Sequence, residues 1–319
     1  MKMNSSLSDA SDLFAEELGT LFGSLLMTVC ILGILGNSFI VFAFAKKLVP
    51  LTPFCMLLLN LSVADIFTDI VYIPKLFKGI TEYIEIERAL CGTFKFGLLI
   101  NLGFRVNFCT VAYISCIRAT TIENGSSERI LNKRVVSYYI LGTWIISIAS
   151  TLPLSFMITS DPNTGSCKPR YGAFYSILPA LGALFYLLPQ TILVVNFVRT
   201  VWHMWRKQSF EQSVVMKRRK KIGLLLLSLT TVYTISFIPI HIWQLMRALG
   251  SLTKYEMLSI YRPSALMAYL TTIGDPVLYA VCCRNFRHGF IQSHELPTQR
   301  DSIPSCTVKN RCSATISMT

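Results

Sequence analysis

Asp65, Asp69, Arg105 and Asp275 are charged side chains set inside long apolar stretches of this 319-residue chain. An unpaired charge in such surroundings is costly, so each needs partners in a polar interior. Asp65 and Asp275, if brought close, would favour a bound cation or a proton shared between two carboxylates. Arg105 either pairs with Asp65 or Asp69 or meets an anionic group on a ligand. Such a set could line the ion path of a channel or transporter through Asp65, Arg105 and Asp275, or hold a static polar network. It does not suggest an enzyme. The chain has no His-Glu metal motif, nucleophile elbow or phosphate-binding glycine loop, and no CxxC pair that would point to zinc.

What must position these residues is helix in lipid. Apolar residues make up 52% of the chain and charged residues 15%, which makes lipid rather than water the main solvent. A hydrocarbon core about 30 Å thick needs roughly 20 helical residues to cross it. Apolar stretches of that length run from Leu18 to Ala45, Phe54 to Phe77, Leu90 to Thr121, Val135 to Ile158, Phe174 to Val201, Ile222 to Leu249 and Met257 to Val281. The expected fold is an all-α membrane protein, a seven-transmembrane-helix bundle. Cys30, Cys55 and Cys109 fall inside these runs and behave there as small hydrophobes.

The net charge of +13 reads as topology. With the N-terminus outside, the inner segments hold 19 basic residues against 5 acids and the outer ones 10 against 9, as the positive-inside rule requires. No nucleic-acid partner is therefore expected. Met1 to Glu17 is polar and acidic with no basic segment leading into an apolar core, so the first span is expected to act as its own insertion signal. Asn4-Ser5-Ser6 is a glycosylation sequon on that outer segment, whereas Asn60-Leu61-Ser62 lies in a span and Asn124-Gly125-Ser126 faces the cytoplasm. The expected organisation is an extracellular N-terminus over 1–17 and a seven-transmembrane domain over 18–281. A short amphipathic eighth helix along the membrane over 282–291 and a disordered cytoplasmic tail over 292–319 follow. The run Lys217-Arg218-Arg219-Lys220-Lys221 would meet anionic membrane lipid, and Cys282 and Cys283 are placed for palmitoylation.

Each span carries a short motif. These are Gly36-Asn37 in the first, Leu61-Ser62-Val63-Ala64-Asp65 in the second, Arg118 at the inner end of the third, Trp144 with Pro153 in the fourth, and Pro189 in the fifth. Phe237-Ile238-Pro239 stands in the sixth, and Asp275-Pro276-Val277-Leu278-Tyr279 in the seventh, followed by Asn285-Phe286-Arg287. In this order the chain resembles the rhodopsin-like G-protein-coupled receptor family over nearly its whole length. The resemblance implies a plasma-membrane receptor that passes the binding of an extracellular peptide or small-molecule ligand to a heterotrimeric G protein. Arrestin would be recruited by phosphorylation of Ser and Thr in the tail.

Residue by residue, the resemblance implies that Asn37, Asp65, Asn107 and Asp275 form a polar network that holds an allosteric sodium ion at Asp65. Asn107 stands where the family more often has serine. Arg118 resembles the arginine of the Asp-Arg-Tyr motif, which turns toward the G protein on activation, but its neighbours are Ile117 and Ala119. The acid that normally holds it at rest is missing, and Lys217 to Lys221 supply none from the sixth helix, so raised basal activity is expected. A receptor-like protein that no longer signals is the other reading of that departure. Pro239 and Pro276 permit kinks, Phe237 replaces the usual tryptophan below the pocket, and Tyr279 would swing inward on activation. Cys91 and Cys167 would form the disulfide that pins the second outer loop over the bundle.

The resemblance also narrows the ligand. Opsins need a seventh-span lysine for retinal, and Tyr269 stands there instead, so no retinal is expected. Amine receptors use an aspartate where this chain has Ile100. The implied pocket is Ile100, Asn101, Phe104, Arg105, His241, Gln244 and Tyr269, beside Phe237: mostly apolar, with a few hydrogen-bonding groups. Basic residues at the outer rim would suit an acidic or amidated peptide or a carboxylate metabolite, and Asp161 to Cys167 with Asn285-Phe286-Arg287 is similar to melatonin-type and peptide receptors.

Overall fold

The computed structural model describes the backbone of residues 2–76, 98–124, 132–156, 158–160, 167–169, 173–207, 228, 230–243, 246 and 254–282. Among these residues the chain forms seven helices: α1 (Lys2–Ala45), α2 (Pro53–Leu76), α3 (Leu98–Asn124), α4 (Lys133–Phe156), α5 (Ala173–Lys207), α6 (230–243) and α7 (Lys254–Cys282). Each of the seven apolar runs contains a described helix, and α1 continues without a break back to Lys2, well before Leu18. Strands β1 (Ile158–Ser160) and β2 (Cys167–Pro169) follow α4 and pair antiparallel with Ser160 opposite Cys167, a ribbon that the sequence did not announce.

Local chemistry sets several helix ends. Lys47 takes a left-handed conformation, φ 56°, just beyond α1, and the Leu48 amide turns back to the Ala43 carbonyl at 3.0 Å. Pro53 opens α2, where its missing N–H costs nothing, and the Thr52 hydroxyl caps the helix by accepting from the Cys55 amide. Asn132 caps α4 through the Arg134 amide.

Four of the described helices are long and apolar enough to cross a membrane, over Thr20–Ala45, Pro53–Ile73, Leu99–Thr121 and Lys133–Leu152. The outer face of the bundle is apolar, and its interior combines an apolar core with buried polar side chains. Leu141, Ile145, Ile148 and Leu152 face outward along α4, while Asn37, Asp65, Asp69, Arg105, Asn107, Thr110 and Asp275 are buried. In lipid this arrangement gathers the polar side chains where they can satisfy one another.

α3 runs at the centre, packed on α2, α4 and α5, and α1 closes the far side against α2 and α7. Asn60 joins three helices, donating to Thr110 Oγ1 at 2.8 Å and accepting from the Trp144 indole N–H at 2.9 Å. A side chain on Gly36 would press on the ring of Pro276, which explains why α1 presents glycine to the kink-permitting residue of α7.

Candidate functional site

Two clusters lie one above the other inside the bundle. The lower is polar. Asn107 Nδ2 on α3 donates to Asp65 Oδ1 on α2 at 2.6 Å, and Asp65 lies within electrostatic reach of Asp275 and Asp69. The Tyr233 hydroxyl on α6 donates to Asp275 Oδ2 on α7 at 2.9 Å. Asn37 Nδ2 on α1 donates to the Thr272 carbonyl of α7 at 2.8 Å and to the Gly33 carbonyl of its own helix at 3.0 Å. Asp65, Asn107 and Asp275 thus lie together from α2, α3 and α7, with α6 joined through Tyr233, while Asn37 ties α1 to the α7 backbone.

The donor set can be tested against sodium. Asn37 Oδ1, Ser62 Oγ, Asp65 Oδ2, Asn107 Oδ1 and Asp275 Oδ1 are buried and face no donor group, apart from the contact between the Asp65 and Asp275 carboxyls. All five are oxygens, and all but the Ser62 hydroxyl can only accept. What such a set lacks is positive charge or donated protons, and oxygen ligands of this kind suit a hard cation. Among the described residues no three His, Cys, Asp or Glu side chains converge as a metal site. Such a set suits either a hard cation or a proton shared between Asp65 and Asp275.

Asp69, one turn further along α2, has a different setting. Its carboxylate is buried beside Tyr269 and within hydrogen-bonding reach of Cys30 and Thr272 at the seam of α1, α2 and α7. A Cβ on Gly33 would fall in hard contact with Asp69 Oδ2 and Thr272 Oγ1, so only glycine lets α1 approach this carboxylate so closely.

The upper cluster is aromatic. Phe104 packs edge-on against Phe237 and Tyr269, each at 5.2 Å between ring centres, and Tyr269 leans on Tyr72 at 4.6 Å. Phe108, which the sequence reading missed, sits at the middle, 4.4 Å from Phe237 and 5.7 Å from Tyr186. It lies one turn from Phe104 on the same face of α3, a spacing that could have revealed it. His241 packs beside Tyr186 at 4.9 Å, and the Tyr186 hydroxyl donates to Asn101 Oδ1 at 3.0 Å. Ile100 is buried near the N-terminal end of α3.

Arg105 settles on neither of the two acids considered for it. Its Nη1 donates to Ser150 Oγ at 2.6 Å and Thr151 Oγ1 at 3.3 Å on α4, and its guanidinium lies 5.8 Å from the ring centre of Tyr186. Two hydroxyls and an aromatic face hold the cation, an arrangement that charge counting does not suggest.

The backbone places Arg118 in the C-terminal part of α3, Pro239 within α6, Tyr279 within α7, Asn4 within α1 and Cys167 in β2. The side chains of Arg118, Tyr279, Asn4 and Cys167 lie outside the described residues, as do Cys91, Gln244 and the segments from 283 onward. The disulfide, glycan and eighth-helix expectations fall there.

The sequence profile of the 7 transmembrane receptor (rhodopsin family) matches residues 36–279 of the chain. The chain belongs to that family. The receptor is 24% identical over 309 residues to neuropeptide Y receptor type 2 of Cavia porcellus, covering 87% of this chain and 77% of the relative. It is 25% identical over 290 residues to somatostatin receptor type 4 of Rattus norvegicus, with 82% and 69% covered. It is 27% identical over 289 residues to 2-oxoglutarate receptor 1 of Rattus norvegicus, with 82% and 80% covered. The receptor is a multi-pass membrane protein whose relatives are receptors named for both peptide and small-molecule ligands.

Proposed function

We propose that this receptor converts the binding of an extracellular peptide or small molecule into activation of a heterotrimeric G protein at the plasma membrane, with its N-terminus outside. The observation that carries this reading is the position of Tyr233. Its ring packs 5.9 Å from Phe237 and 6.1 Å from Phe108 while its hydroxyl holds Asp275. One side chain is thus shared between the aromatic pocket and the polar network, so a ligand that shifts Phe104 or Phe237 would disturb Asp275 through a single contact. The network of Asn37, Asp65, Asn107 and Asp275 is proposed to hold a sodium ion in the resting state, and Arg118 and Tyr279 to act on the inner side when the helices move.

The pocket is mostly apolar, and relatives named for neuropeptide Y, somatostatin and 2-oxoglutarate support a search among peptides and carboxylates alike. A path for ions through Asp65, Arg105 and Asp275 is not favoured, because the Arg105 contacts described above lead to α4 and Tyr186.

The test is ligand-free and ligand-panel second-messenger output, across several G-protein types, for the wild-type receptor and Arg118→Ala at equal surface level. A response in wild type that Arg118→Ala abolishes supports coupling. Silence in both, for every ligand class and G protein and with surface expression verified, favours a receptor-like protein that does not signal.

A further inference from the structure

The inner ends of α3 and α5 are joined by a ladder of polar side chains that brackets Arg118. At its upper rung Asn196 Nδ2 donates to Ser115 Oγ at 3.0 Å and approaches Cys116 Sγ at 3.1 Å. The Ser115 hydroxyl proton is already given to the Ala112 carbonyl at 2.6 Å, so its lone pairs are available to Asn196. At the lower rung Arg199 grips Glu123 with two parallel bonds, Nε to Oε1 at 2.9 Å and Nη2 to Oε2 at 2.5 Å. Arg199 Nη1 also reaches Asn196 Oδ1 at 3.4 Å, which links the rungs, and His203 Nε2 stands 3.3 Å from Glu123 Oε1.

The spacing makes this a seam. Asn196, Arg199 and His203 form one stripe of α5, and Ser115, Ala119 and Glu123 one stripe of α3. Ala119, the small residue that follows Arg118, is fully buried between the rungs and lets the helices close. An isolated exposed ion pair contributes little, but this one is a two-pronged guanidinium–carboxylate contact within a network, and the Glu123 side chain is only 16% exposed.

We propose that this Glu123–Arg199–Asn196 ladder is a clasp that keeps the inner face closed and restrains ligand-free signalling. It takes the place of the acid missing beside Arg118 and of any latch from the basic Lys217 to Lys221. The clasp works between α3 and α5, and for its effect on output it rests on the coupling reading above. On this inference the wild-type receptor is quiet at rest, despite the departure at Ile117 and Ala119.

The experiment uses the full-length receptor as wild type, Glu123→Gln, Arg199→Ala, the charge swap Glu123→Arg with Arg199→Glu, and Arg118→Ala. It has two readouts, amide hydrogen exchange over 115–124 and 196–207 in purified receptor, and basal second-messenger output at matched surface level. Each single variant is expected to speed exchange at both helix ends and to raise basal output about twofold to fivefold, the scale of a weak network contact in a two-state equilibrium. The swap is expected to reverse both effects. Unchanged exchange in the single variants overturns the clasp, and a fall in basal output overturns its restraining role by placing it on the active side. Faster exchange that the swap reverses, with flat output for every G protein and also for Arg118→Ala, sustains the clasp as a structural device and sinks the coupling reading instead.

Discussion

The Tyr233 hydroxyl donates to Asp275 Oδ2 at 2.9 Å, tying α6 to α7 across the interior of the bundle. The bond joins a phenol to a fully buried carboxylate, and the Tyr233 ring is itself almost completely enclosed. Because the partners sit on two helices, the bond must lengthen or break whenever those helices turn relative to each other.

Tyr233→Phe keeps the ring and removes only this bond. Interhelical hydrogen bonds in membranes contribute about 1 kcal/mol, and the variant's apparent melting temperature in detergent is expected to fall by about 2–4 °C. Asp275→Ala with Tyr233→Phe should cost less than the sum of the two single changes, since each deletes the same contact. Additive losses in thermal melts would mean that the two side chains are not coupled.

Asp65→Asn is expected to abolish stabilisation by sodium. With sodium chloride against choline chloride at equal ionic strength, wild type should gain about 1.4 kcal/mol at ten times the dissociation constant. Asn107→Ala, which removes the 2.6 Å bond to Asp65, should weaken the ion and shift the titration midpoint to higher sodium. A wild-type melting curve indifferent to the choice of cation would refute the site.

Gly33→Ala places a methyl group against Asp69 Oδ2 and Thr272 Oγ1, whereas Gly142→Ala meets nothing within 4 Å. The first should cost about 1–3 kcal/mol by overpacking, and the second should be neutral or gain up to about 1 kcal/mol from helix propensity. Asp69→Ala should recover part of the loss in Gly33→Ala. Equal melting temperatures for the two alanine variants would show that α1 has room to shift.

The helical runs were legible because lipid imposes one simple rule, a long apolar helix. That Asp65 needs polar neighbours follows from its apolar surroundings, whereas Asn37, Asn107 and Asp275 were named as those neighbours by the family resemblance. Partners that depend on how each helix is rotated were not. Arg105 lies on Ser150, Thr151 and Tyr186, and nothing in the spacing of α3 indicates which stripe of α4 or α5 it meets. Glu123 and Arg199 are 76 positions apart in the chain, and only the packing of α3 against α5 brings them together. The β1–β2 ribbon was missed because its three-residue strands are too short for an alternating pattern to emerge.

Asn60 uses both ends of its amide, one toward Thr110 and the other toward Trp144. Helices inserted separately into a membrane carry such groups unsatisfied until they meet, and an amide stranded in lipid is a mark of incomplete assembly that cellular quality control can recognise. Damage at Asn60 or Trp144 would therefore appear first as retention during biogenesis, with few copies reaching the surface.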